Sequence, residues 1–407
     1  MTAPARCLLV ALAPSCLLAL AACQPLSPGE RTELPPGPAP VERGVETDLD
    51  LARAVDEAVL SFLSPGDVTG ISVALVADGE VVFTSGYGWA ELDGAQPLSA
   101  NTPVLLSSVS KTFIGVAAMQ AVERGRLQLD DSLTDRVGFT VDNPRVDGET
   151  ITLRHALTHN TGLRDTREYD RSYDEGDPTI ELSEFVQGYV QPRGKYWRRR
   201  NWRKAAPGTE FAYSNVGASL GALAIASAQD DEFMTLVQRT IFEPLGMEDS
   251  AYLLNDLPRE AAVPYKHTVV GDDFRPWPQY GYPTYPDGMI RSSANDMGRY
   301  LAAIEGGGQL EGVELLSADS VDEMLTVDAS AGTDEDGQAI AWAMREMDGR
   351  ELYGHNGGDF GSTTEIWIDR DAHVGIAVLL NCDTTSESWD RLMALERELL
   401  DLAETTG

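Results

Sequence analysis

Between Leu49 and Phe62, apolar side chains fall at Leu51, Ala54, Val55, Ala58, Val59 and Phe62, the spacing of one helical face. The pattern then changes period. Ile71 to Ala77 and Val81 to Tyr87 read as two strands, and Asp78-Gly79 between them is a hairpin signal. Strand patterns return at Ala341 to Met347, Glu351 to His355, Thr364 to Ile368 and Val374 to Leu380. Asp348-Gly349 and Asp369-Arg370-Asp371 read as turns between them. A last amphipathic helix spans about Glu387 to Leu402. The long middle shows no internal repeat. Strands at both ends around a helical middle predict an α/β chain of the α+β type. Its antiparallel sheet would be flanked by N- and C-terminal helices and split by a mostly helical insertion. The sheet part would cover about 47–100 and 336–407, the helical part about 101–335, as one domain over 47–407.

Residues 1–23 read as a targeting segment. Arg6 is the only charge, and the apolar run after it is short for a membrane span and is interrupted by Pro14-Ser15. It ends Leu20-Ala21-Ala22-Cys23, which resembles the bacterial lipoprotein signal. That resemblance implies lipidation of Cys23 and an exported protein held at a membrane. The other reading is plain secretory cleavage. The proline-rich stretch 24–46 reads as a structureless linker. Cys7 and Cys16 would leave with the signal, so Cys382 would remain as the free thiol.

With 407 residues, 43% of them hydrophobic, the chain can bury a sizeable core. Its 65 acidic and 31 basic residues give a formal net charge of −34, which argues against nucleic acid as a partner. Against that background, Arg193 to Lys204 (RGKYWRRRNWRK) stands out, with seven basic residues and no acidic one. It reads either as a solvated loop whose arginines offset the acidic stretch before it, or as a positive rim at the mouth of a site.

Candidate chemistry centres on LLSSVSKTFIGVAAM, Leu105 to Met119. Ser108 and Lys111 form an S-x-x-K pair at the start of a helical apolar pattern, which puts them on one face a turn apart. A serine hydroxyl becomes a nucleophile only when a neighbour takes its proton. A lysine amine does this when burial or nearby cations keep it uncharged. The chain has only four lysines, and Lys111 alone has a serine three residues before it. Two further motifs follow, Tyr213-Ser214-Asn215 and His355-Asn356-Gly357-Gly358. Alone, the first could be a helix cap and the second a glycine turn.

In this order the three motifs resemble those of the serine β-lactamase and penicillin-binding-protein superfamily. The nearest branch holds class C β-lactamases, D-aminopeptidases, D-Ala-D-Ala carboxypeptidases and related esterases. The resemblance covers about Leu51 to Leu402 and includes ITLRHALTHNTGL, PGTEFAYSN and FEPLGM. It implies a β-lactamase/transpeptidase-like fold, with Ser108 as nucleophile and Lys111 as its activator. Tyr213 would be the phenol that relays protons, and Asn215 would orient Lys111 and the substrate. His355 would stand where many relatives have lysine, and Asn356 and Gly357 would bind substrate. The main-chain N–H groups of Ser108 and Gly358 would form the oxyanion hole. His355 departs from the lysine that helps bind a β-lactam carboxylate, which shifts weight towards peptidases or esterases. No E-x-x-L-N segment of the class A type is present, so deacylation would rest on Tyr213 or be slow.

The expected function is a lipid-anchored serine hydrolase that forms an acyl-enzyme with an amide or ester, such as a D-amino-acid peptide from the cell wall. Its partners would be a small-molecule or peptide substrate and the membrane; oligomeric state stays open. The alternatives are a non-catalytic penicillin-recognising or peptidoglycan-binding lipoprotein and a true β-lactamase. No cofactor is expected, and no metal. His155 and His159 have zinc-compatible spacing but lack the intervening glutamate of H-E-x-x-H.

Overall fold

A computed structural model describes residues 26–35, 41–46, 48–268, 273–328 and 337–406. Cys23 and the rest of the signal segment lie outside the described residues. In chain order the elements that frame the site are β1 (Val41–Glu46), α1 (Leu49–Leu63), β2 (Gly70–Ala77), β3 (Glu80–Glu91), α2 (Lys111–Glu123) and α3 (Asn215–Ala228). They continue with α4 (Ala294–Glu305), β4 (Ala343–Met347), β5 (Arg350–Asp359), β6 (Ser362–Asp369), β7 (Val374–Leu380) and α5 (Ser386–Glu404).

The strands form one antiparallel sheet in the order β1-β3-β2-β7-β6-β5-β4, with short ladders added at Gly337–Gln338 and Gln96–Pro97. Its centre joins the two ends of the sequence, since β2 pairs with β7 from Ile71 opposite Leu380 to Ala77 opposite Val374. Every residue of β2 and β7 is buried, because both sheet faces are covered. Val73 and Leu75 of β2, with Ile376 and Val378 of β7, pack beneath α1 and α5. Ala74 and Val76, with Ala377 and Leu379, face α4 and the helical region. The α+β architecture expected from the two strand-rich ends is therefore the observed one.

Local chemistry explains the boundaries. Asp48 caps α1 by accepting from the N–H groups of Asp50 and Leu51. Asp78 and Gly79 turn the β2–β3 hairpin in the left-handed region, at φ 50° and 73°. Helix α3 is apolar on all sides and nearly all buried, and its Gly221 lets Leu157 and Ala156 pack close.

Two expectations need correction. The stretch 24–46 is not a structureless linker throughout. Its residues 41–46 form edge strand β1, with Val41 opposite Tyr87, and Thr32 bridges to Phe274. Backbone pairing needs no side-chain periodicity, so proline-rich composition hid it. The second correction concerns β5, which runs four residues past His355 to Asp359, so His355-Asn356-Gly357-Gly358 lies inside a strand rather than in a turn.

Asp296, in the first turn of α4, is buried and accepts from the Asp249 N–H at 2.8 Å and the Ser250 hydroxyl at 2.7 Å. Burial pushes its carboxyl up to about 7 from an ordinary 3.8. The folded value lies above the unfolded one. Its contribution to stability is thus full below about pH 4 and is lost as pH rises towards about 7, at about 1.4 kcal/mol per unit. Asp296→Asn should match wild type in Tm near about pH 4 and exceed it above about pH 7. A wild-type advantage at the higher pH would show that the ionised carboxylate is required.

Candidate active site

Ser108 lies in a single 3₁₀ turn, Ser107–Ser110, that leads directly into α2. The turn is fastened from several sides. The Leu106 carbonyl accepts from Thr364 Oγ1 at 2.7 Å, the Leu105 carbonyl accepts from Ser362 Oγ at 2.6 Å, and the Leu106 N–H donates to the Ile290 carbonyl at 2.8 Å. Ser107, just before the nucleophile candidate, is held at φ 49°, a conformation that costs a non-glycine residue about 1 kcal/mol or more. Gly357 of β5 makes the close approach feasible. A Cβ there would lie 2.4 Å from the Leu106 carbonyl oxygen and 2.2 Å from Thr364 Oγ1.

The Ser108 hydroxyl accepts from Lys111 Nζ at 3.1 Å and from Tyr213 Oη at 2.9 Å. Lys111 is fully buried; its Nζ also donates to the Asp287 carbonyl at 2.7 Å and sits 5.0 Å from the centre of the Tyr213 ring. No ion pair joins Lys111 to a carboxylate among the described residues. Tyr213 shows 39% of its surface to solvent, yet its hydroxyl points inward onto Ser108. Burial of that hydroxyl raises the phenol above its usual range, and Lys111 opposes the rise.

Asn215 is the first residue of α3, and the cap is Ser214, whose hydroxyl accepts from the Gly217 N–H at 3.0 Å. Asn215 Oδ1 is buried and has no protein partner among the described residues. His355 is 4% exposed, with Nδ1 2.5 Å from the Asn356 carbonyl. Burial and the nearby Lys111 push its imidazole down to about 3, so the ring is neutral at working pH. Asn356 lies opposite Glu365 and Gly358 opposite Thr363. Strand β4 starts at Ala343, opposite Gly354, so among the described residues β5 pairs with β6 alone from His355 to Asp359. Ser108, Lys111, Tyr213 and His355 thus converge, with Asn215 and Gly357 adjoining.

Three residues that sequence reasoning missed support them. Asp165 accepts from the Ser214 hydroxyl at 2.9 Å and from the N–H groups of Asn215 and Val216 at 2.8 and 3.2 Å, which anchors the start of α3. Burial raises its carboxyl, and those three donors oppose the rise. Asp287 takes Ser219 Oγ on one oxygen at 3.1 Å, and burial pushes its carboxyl up to about 7. His159 lies against Tyr213. No motif marked Asp165 or Asp287, and His159 was weighed only for its spacing from His155, because each meets the site through long-range packing. His155 lies elsewhere, with Nδ1 accepting from the Thr152 N–H at 3.2 Å, so the two histidines do different work. In the basic stretch, Arg198 and Arg200 both pair with Glu168, at 3.0 and 3.3 Å, which fits the reading of arginines offsetting the acidic stretch.

The Beta-lactamase family model matches residues 55–400. The chain belongs to that family. It is a family of serine hydrolases with the beta-lactamase fold. Among sequence relatives, this beta-lactamase family member is 22% identical over 259 residues to Protein flp of Staphylococcus aureus (strain NCTC 8325 / PS 47), covering 62% of this chain and 48% of that one. It is 27% identical over 201 residues to a Beta-lactamase of Pseudomonas fluorescens, covering 49% of this chain and 50% of the relative. The chain thus spans about half the length of the sequence relatives it matches. A class C beta-lactamase structure superposes with a TM-score of 0.68 at 19% identity, over 86% of this chain and 96% of that one. An octameric penicillin-binding protein homologue from Pyrococcus abyssi gives 0.67 at 24% identity, over 85% and 77%. At these identities the structural likeness speaks for the fold alone.

Proposed function

We propose that this family member hydrolyses an amide or ester through an acyl-enzyme on Ser108. The observation that carries the reading is one hydroxyl, Ser108 Oγ, held at once by Lys111 Nζ at 3.1 Å and Tyr213 Oη at 2.9 Å. Lys111 takes the Ser108 proton as Oγ attacks the acyl carbon, and the carbonyl oxygen becomes an oxyanion. Main-chain N–H groups of Ser108 and Gly358 receive that charge; one such donor is worth about 3 kcal/mol in comparable hydrolases. Tyr213 hands a proton to the leaving group as its bond to the acyl carbon breaks, and the proton on Lys111 replaces it. Water then attacks the ester on Ser108 by the same relay run backwards, restoring the hydroxyl. The unpartnered Asn215 Oδ1 is suited to accept from Lys111 once it is protonated, or from a substrate amide.

The acyl donor we favour bears no obligatory carboxylate beside the scissile bond, because the neutral His355 supplies no charge to hold one. D-amino-acid peptides and simple esters are the classes to try first. A fluorophosphonate probe and a fluorescent penicillin, each followed by mapping of the modified residue, test the reading. Labelling of Ser108 with turnover of an ester or D-peptide supports it. Stable penicillin labelling without turnover of any acyl donor would favour a recognition lipoprotein, and rapid penicillin turnover a true β-lactamase.

We also propose that the protein is exported and held at a membrane by lipid on Cys23, from the Leu-Ala-Ala-Cys sequence alone. Among the described residues, no helix is long and apolar enough to cross a membrane. Cys23→Ser should shift the protein from the membrane fraction to a soluble or unprocessed form. Mass spectrometry of the mature N-terminus decides it, and an unlipidated Cys23 in the wild type rejects the anchor.

A further inference from the structure

We infer that His159 is a positioning residue that holds the Tyr213 phenol on Ser108. The inference rests on the hydrolase reading above and goes beyond it. His159 grips the chain on both sides of Tyr213. Its carbonyl accepts from the Ala212 N–H at 2.8 Å, and its ring Nδ1 accepts from the Ser214 N–H at 3.2 Å. Its imidazole also lies against the Tyr213 ring, centroids 4.3 Å apart and planes tilted by 33°. One residue therefore fixes the backbone before Tyr213, the backbone after it and the ring itself. Phe211 also packs on the imidazole, ring centroids 5.8 Å apart and planes near perpendicular.

Three further features fit a positioning role. His159 is 2% exposed and adopts φ 57°, a left-handed conformation that few non-glycine residues keep without a reason. Because Nδ1 receives an N–H, the ring must be neutral there. Burial first, then the nearby Lys111 and His355, hold the imidazole well below its ordinary range. The Nε2 that carries the proton in this tautomer is buried and has no partner among the described residues. A group kept there at that cost has its work on the other side of the ring, against Tyr213.

The test compares two esters of one acyl group. A nitrophenolate leaves without a proton, whereas an alkoxide needs the proton that Tyr213 delivers. His159→Leu should lower kcat/KM for the alkyl ester by about 10- to 100-fold and for the nitrophenyl ester by no more than about threefold. In a Tyr213→Phe background the same substitution should add nothing, because both act through one phenol. His159→Asn should restore most of the alkyl-ester activity, since asparagine tolerates the left-handed backbone and its amide oxygen can accept from Ser214. If the leucine variant does not fold, His159→Gly takes its place, since glycine suits the left-handed backbone and removes both the ring and the Nδ1 acceptor. Equal losses on the two esters, or additive losses with Tyr213→Phe, would overturn the inference. If the wild type turns over neither ester, the hydrolase reading fails by itself. The Tyr213 signal in ¹³C-tyrosine NMR then decides for His159. A signal that moves in His159→Leu and returns in His159→Asn, which lacks the ring but keeps an acceptor for Ser214, supports the positioning role; one that stays displaced in both, or never moves, rejects it.

Discussion

Ser108→Ala should leave a folded protein with no covalent labelling by a fluorophosphonate and with turnover lowered by about 10⁴-fold or more, the scale for losing a nucleophile whose partners act as a unit with it. The fold should survive because the hydroxyl's bonds run to Lys111 and Tyr213, while the turn itself is fastened by Ser362, Thr364 and Ile290. The lost oxygen leaves a gap smaller than a methylene group beside a solvent-facing tyrosine. Intact-mass labelling and the far-UV spectrum together check this. Full labelling of the alanine variant at another residue would remove Ser108 from the mechanism.

The second large effect is expected at Lys111. Its amine is buried, touches Ser108 Oγ and the Asp287 carbonyl, and is ion-paired to no carboxylate among the described residues. Arginine keeps a charge but cannot take a proton near neutral pH. Lys111→Arg should therefore lower kcat by about 10²- to 10⁴-fold, the usual range for a lost general base. Because a guanidinium is bulkier than the ammonium it would replace at this fully buried position, Lys111→Ala is the companion variant. Small amines added to it should recover part of the activity, as they can enter the vacated space. Near-wild-type turnover in the arginine variant, or no response to amines in the alanine variant, would leave Lys111 a structural role only.

The candidate reacting atoms were legible because their spacing is local. Ser108 and Lys111 meet through one helical turn, and Tyr213 stands directly before the capped start of α3. What holds them was not legible. Asp165 reaches Ser214 and Asn215 across about 50 residues, and His159 reaches Tyr213 across a similar distance. No periodicity records such a contact. Glycine was legible only in part. Alone, Gly357 and Gly358 could have been a turn, and nothing in the sequence showed that the Leu106 carbonyl passes where a side chain on Gly357 would stand. Strand β1 escaped because its pairing with β3 is carried by the main chain, in a stretch whose composition suggested only a tether. The basic segment was legible both as charge and as an offset to the acidic stretch before it, where Arg198 and Arg200 find Glu168.

The pairing of β2 with β7 has a consequence for how the chain is made. Its partners stand about 300 residues apart, so loop closure of that length must precede the central sheet contact. A ribosome or a translocation channel delivers β2 first. Its stretch Ile71 to Ala77, apolar but for Ser72, then waits with one edge open until Val374–Leu380 emerges. Throughout that interval the nascent chain offers an open strand edge to any neighbour, the kind of exposed edge that a chaperone protects.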